Sequence, residues 1–81
     1  MNDRVFQISH NHFNQARNGY VTSFIEADTN DFQVGETICF LETSHDGFQL
    51  SGRKQIVVIR NVGKNVKGLR RGYVIINFSL L

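Results

Sequence analysis

The hydrophobic pattern along the chain changes period twice. Residues 4–8 (RVFQI) alternate, with Phe6 and Ile8 on one face, and predict a short strand. Ser9 follows, and its hydroxyl can accept a bond from a free backbone N–H at a helix start. The spacing predicts a helix over about residues 10–18, with Phe13 and Ala16 packed inward and Gly19 in the left-handed position just past its end. Residues 20–26 (YVTSFIE) alternate again and are rich in branched and aromatic types, which predicts a second strand. Period-2 geometry puts Tyr20, Thr22, Phe24 and Glu26 on one face and Val21, Ser23 and Ile25 on the other, toward the core.

A polar loop (ADTND) comes next, and Phe32 and Val34 anchor a turn at Gly35. Residues 36–42 (ETICFLE) read as a third strand. His45-Asp46-Gly47 is a turn signal, because Asp-Gly tolerates positive φ. Phe48 to Leu50 pair back briefly before Gly52 breaks the run. Residues 55–60 (QIVVIR) barely alternate, as expected of a strand buried on both faces. The segment 63–72 (GKNVKGLRRG) is a basic, glycine-bearing loop. Residues 73–80 (YVIINFSL) form the last strand, with Val74, Ile76, Phe78 and Leu80 inside. Five or six strands, one helix and non-local pairing predict an α+β domain built as a small closed or half-closed barrel, which also protects strand edges.

Composition narrows the class. Eighty-one residues make a single domain, 1–81. A chain of this size buries roughly 60% of its unfolded surface, so most of its 41% apolar residues must contribute to the core. Cys39 is the only cysteine, which excludes an internal disulfide and points to a reducing, cytoplasmic setting. Mid-strand among apolar neighbours, it reads as a small packed residue. Met1 to Arg4 are polar and charged, so no secretory leader is expected to begin there. No apolar run approaches the roughly 20 residues of a membrane span, and no membrane partner is expected.

Charge is unevenly distributed. All seven acids precede residue 47, whereas Arg53, Lys54, Arg60, Lys64, Lys67, Arg70 and Arg71 follow with no acid among them. Such a half can attract phosphates, lie against the acidic half, or form a solvated face. His10 and His12 face different sides of a helix and His45 lies in a turn. No metal site and no cofactor are therefore expected. Gly63 and Gly68 do not make a phosphate loop.

The motifs resemble a known family. A strand, a helix ending at Gly19, a strand, then Asp31-Phe32-Gln33-Val34-Gly35-Glu36 and a late Gly68-Leu69-Arg70-Arg71-Gly72-Tyr73-Val74-Ile75 resemble the ASCH (activating signal cointegrator homology) domains. More closely, they are similar to a small bacterial and phage ASCH-related family of unknown function. The similarity runs without a gap from Phe6 to Glu36, and Leu50-Ser51-Gly52-Arg53 stands where that family has YTGR. The resemblance implies a mixed β-barrel of PUA-like type with one N-terminal helix packed across it. It also implies an RNA- or nucleotide-like ligand.

Against that pattern, one face of the second strand departs. The family reads K-x-T-x-E-x-R there, whereas this chain has Tyr20, Thr22, Phe24 and Glu26. Some ASCH domains resemble amidohydrolases acting on acetylated cytidine through a cleft lysine, a threonine and a glutamate. Here Thr22 has no lysine on its face, although Glu26 or Glu42 could act as a base. No catalytic residue is therefore assigned. Tyr20 and Phe24 lie about 13 Å apart along a strand and can stack separate bases or simply fill the cleft. The expected nucleic-acid surface comprises Tyr20, Thr22, Phe24 and Glu26 with Arg53, Lys54, Lys64, Lys67, Arg70 and Arg71. The alternatives are the amidohydrolase and a protein-interaction accessory domain with a filled cleft.

Overall fold

Ser9 does start the helix. Its side chain accepts the backbone N–H of His12 at 3.2 Å, and α1 runs over His10–Arg17. In the computed structural model, which describes residues 4–28 and 31–81, α1 is the one helix among the described residues. Met1 to Asp3, and Thr29 and Asn30 of the expected polar loop, lie outside the described residues. The helix is far too short to cross a membrane. Five strands accompany it: β1 (Arg4–Ile8), β2 (Ser23–Ala27), β3 (Thr37–Thr43), β4 (Leu50–Gly63) and β5 (Tyr73–Leu80).

The strands form one mixed sheet in the order β1-β3-β4-β5-β2. β1 lies parallel to β3, and the other neighbours are antiparallel. Among the described residues β1 and β2 do not pair, so the sheet curls into a half-barrel with an open seam between its two edge strands. The α+β reading and the half-closed alternative are those realised.

Alternation builds the core. Ile38 and Phe40 of β3, Val57 and Ile59 of β4, and Val74, Ile76 and Phe78 of β5 are buried and face inward. Phe13 and Ala16 of α1 join them as the helical spacing predicts, and Phe32 packs beneath the turn at Gly35. Four rings meet at the centre of this layer. Phe24 lies 5.8 Å from Phe6, 5.9 Å from Phe40 and 6.0 Å from Phe78 between centroids. Such pairs contribute roughly 0.5–1.5 kcal/mol each beyond the area they bury.

Several expectations are corrected. The second strand begins at Ser23 rather than Tyr20, because the helix end claims its backbone. The N–H groups of Tyr20 and Val21 both donate to the Gln15 carbonyl, at 2.9 and 3.1 Å, and the first bond to β5 is Phe78 N–H to the Thr22 carbonyl. Its facing is also reversed: Phe24 turns toward the core rings, while Ile25 is 58% exposed. Gly52 does not end a strand. It adopts φ +93° inside a continuous β4, where the register shifts between Leu41↔Lys54 and Thr43↔Leu50. Glycine alone takes that conformation cheaply, so the bulge is absorbed and pairing resumes. Val34 and Leu80 are largely exposed, the former in a turn and the latter at a strand end.

These placements separate two aromatic residues that the sequence puts on one face. Phe24→Ala should destabilise the domain by about 2–4 kcal/mol. Tyr20→Ala, at a residue 83% exposed, should stay within about 0.5 kcal/mol. Chemical denaturation of the two variants checks this, and equal losses would contradict the assignment.

Candidate functional site

The open seam is a cleft. It encloses about 450 Å³ between β1, α1 and β2, within the range of roughly 300–1,000 Å³ typical of small-ligand sites. Phe6, Phe24, Phe40 and Phe78 form its aromatic floor, with Ala16 and Val21 at the sides. Hydrogen-bonding groups lie around the rim: Gln7 from β1, His12 and Gln15 from α1, Ser23 and Glu26 from β2. The geometry follows from local sequence. The helix leaves β1 directly after Ser9, so successive turns of α1 place His12 and Gln15 over the seam. The strand after Gly19 then returns along its other side.

Of the residues expected on the second strand, Phe24 and Glu26 line this cleft, whereas Tyr20 and Thr22 do not. Tyr20 and Thr22 are exposed beyond the start of the strand. Glu26 is half-buried. Among the described residues its one hydrogen bond comes from the adjacent Ala27 N–H, at 3.2 Å to Oε1, and no cation approaches it.

The basic residues divide into two groups at opposite ends of β4, roughly 30 Å apart by strand rise. Lys64, Lys67, Arg70 and Arg71 occupy the loop before β5. That loop adjoins the Glu26 end of the cleft, because the Asp28 N–H donates to the Gly72 carbonyl at 2.8 Å and Lys64 pairs with Asp28 at 3.4 Å. Arg70 stands over the Tyr73 ring at 5.8 Å. Among the described residues Lys67, Arg70 and Arg71 have no acidic partner. Lys54 is exposed at the far end.

Arg53 belongs to a different constellation, centred on the buried carboxylate of Glu42. Glu42 is 2% exposed. Ser51 donates to its Oε1 at 2.6 Å, His10 Nδ1 donates to Oε2 at 2.9 Å, and Arg53 lies 3.5 Å from Oε2. The Ser51 bond is the largest influence holding Glu42 below the usual carboxylate range. Burial opposes it, and the His10 bond and the Arg53 charge add to it. An ionised Glu42 only accepts, so the His10 proton sits on Nδ1. His10 Nε2 can then accept from the Asn14 amide at 3.3 Å, while Asn14 Oδ1 accepts from Arg53 at 3.3 Å.

Glu42, His10, Asn14 and Arg53 thus close a ring of polar contacts that ties α1 to β3 and β4. His45 lies against His10 with ring centroids 4.1 Å apart, and Arg53 covers the Phe13 ring at 4.9 Å. No described cluster of three or more ligating side chains could hold a metal ion.

A five-stranded half-barrel with a helix over one flank and an aromatic cleft in its open seam defines the class of this domain. The chain belongs to the family described as a domain of unknown function, DUF3850, which matches residues 4–78. No curated protein matches the sequence.

The polar ring has a pH signature. Glu42 has a folded-state pKa below its ordinary value of 4.5. Its contribution to stability is therefore complete above that pH and lost as the pH falls through the lower folded value. Asp46, held down by the Ser44 hydroxyl and then by the Phe48 N–H, acts in the same direction. Glu42→Gln should be less stable at pH 7 and should lose less further stability on acidification below pH 4.5 than the unmodified chain. Denaturant titrations at pH 7, 5 and 3 test this; parallel pH profiles would refute it.

Proposed function

We propose that this domain is an RNA- or nucleotide-binding module of the ASCH and PUA-like kind, holding a single base in the seam cleft. The observation that carries the reading is the cleft itself. It has an aromatic floor for a planar ring, polar groups at the rim for its edges, and a volume of about 450 Å³, enough for a base with part of its sugar. A base inserted edge-first would contact ring surfaces and exchange hydrogen bonds with Gln15 or Glu26. Stacking of this kind contributes on the order of 1–3 kcal/mol per base.

The basic loop supports the same reading. It adjoins the Glu26 end of the cleft and carries Lys67, Arg70 and Arg71 without acidic partners among the described residues. A phosphate leaving the cleft on that side would meet these cations, and its counterions would be released. Arg53 is instead committed to Glu42, and Tyr20 and Thr22 stand outside the cleft. The working surface is therefore narrower than the sequence implies: Phe24, Glu26 and the loop 64–71.

Amidohydrolysis is less well supported. No lysine lines the cleft, Thr22 is outside it, and Ser23 has no hydrogen bond to a base among the described residues. The open seam lends no support to a protein-interaction role founded on a filled cleft.

Two measurements test the proposal. Nucleoside monophosphates added to isotope-labelled protein should shift the amide signals of Ile8, Gln15, Ser23 and Glu26; perturbations confined elsewhere would defeat it. For an RNA oligomer, replacing Arg70 and Arg71 together with Ala should weaken binding and flatten the salt dependence by about two charges. An unchanged slope would remove the loop from the interface.

A further inference from the structure

Glu26 stands out among the carboxylates of this fold. Glu36 pairs with Arg4 at 3.2 Å, Glu42 is held by Ser51, His10 and Arg53, and Asp28 pairs with Lys64. Asp46 is bonded by Ser44 and by the Phe48 N–H. Glu26 is half-buried against the aromatic floor, yet its one bond among the described residues is from its neighbour's N–H to Oε1. Burying a carboxylate against apolar rings is costly unless its oxygens are hydrogen-bonded. It is an acceptor only, and its acceptor capacity is far from filled.

We infer that Glu26 selects the ligand by its donor edge, and that the cleft prefers guanine over bases that do not present two adjacent N–H groups on one edge. This rests on the base-binding reading above and specifies it. Guanine offers N1–H and the exocyclic N2–H side by side, which match the two oxygens of a carboxylate. Hypoxanthine retains N1–H and lacks the amine. Uracil presents one N–H flanked by two carbonyl oxygens, which face the carboxylate with like charge. His12, the other titratable group on the rim, comes from the opposite side of the cleft on α1 and makes no ion pair with Glu26. The carboxylate is therefore available to a ligand. Beside the apolar rings that line the cleft, a paired donor counts for more than on the open surface.

The experiment titrates the whole chain with guanosine, inosine and uridine, followed by amide chemical shifts. It is repeated with Glu26→Gln, which keeps the shape and removes the charge. Guanosine should bind on the order of tenfold or more tightly than uridine, as expected for a bidentate pair. Inosine should fall between them, and Glu26→Gln should compress the three affinities to within a few-fold. Equal binding of guanosine and uridine by the unmodified chain would overturn the selectivity and leave a base-binding cleft. A guanosine preference that survives in Glu26→Gln would overturn the assignment to this residue. Absence of binding by all three nucleosides would remove the base-binding reading together with this one.

Discussion

Phe6 and Phe24 meet across a gap that no backbone hydrogen bond spans. They belong to the two edge strands of the sheet, and their rings approach to 5.8 Å while the strands themselves remain unpaired. This contact stands where a ladder would close a full barrel. It is softer than a ladder, because ring pairs tolerate a range of tilts and offsets. It also leaves the groups above it free to face solvent. The cleft is the consequence: closing the barrel by strand pairing would bring β2 against β1 and remove the space between α1 and the seam. Closure is opposed from within the sequence, since the helix end uses the N–H groups of Tyr20 and Val21 before β2 can begin.

The helix must be held over the seam by something other than the seam. Phe13 and Ala16 bury one of its faces, and the polar ring around Glu42 fixes its first turns to β3 and β4. A buried carboxylate is destabilising unless its lone pairs are occupied. Here a serine, a histidine and an arginine occupy them, and the arginine also covers Phe13. Removing any member leaves the others short of a partner, which makes the ring a specific latch rather than a general adhesive. The residues of the resemblance to YTGR acquire a physical reason in this way. Ser51 and Arg53 meet Glu42, and Gly52 between them takes the positive φ that lets β4 pass through its bulge.

Much of the fold was legible in the residue pattern. Strand parity placed Ile76 and Phe78 in the core, the Ser9 cap placed α1, and Gly19 marked its end. The differences have separate origins. The helix termination takes up Tyr20 to Thr22, so the strand starts at Ser23; alternation still sets Phe24 opposite Ile25 but does not say which face meets the core, and here it is that of Phe24. Gly52 reads as a break because a sequence does not reveal whether a partner strand can follow a bulge. The Glu42 ring was the least visible, since its members come from positions 10, 14, 42, 51 and 53. One signal was nevertheless present: Glu42 shares the parity of Ile38 and Phe40, so a buried carboxylate in need of partners followed from β3 alone.

The charge asymmetry also takes a different form in three dimensions. The basic half does not make one surface. Arg53 is absorbed by Glu42 at one end of β4 and Lys64 by Asp28 at the other; among the described residues Lys54, Arg60, Lys67, Arg70 and Arg71 have no acidic partner, and the last three share the loop before β5. Beside that group lies Glu26, the one cleft carboxylate without a cation among the described residues. A groove built for nucleic-acid backbone alone would have no use for a bare acid near its cations, since the two fields oppose one another. The arrangement would suit a ligand that carries both hydrogen-bond donors and negative charge. On the proposed base-binding reading a nucleotide supplies both, and the phenylalanine rings of the cleft would take its planar part.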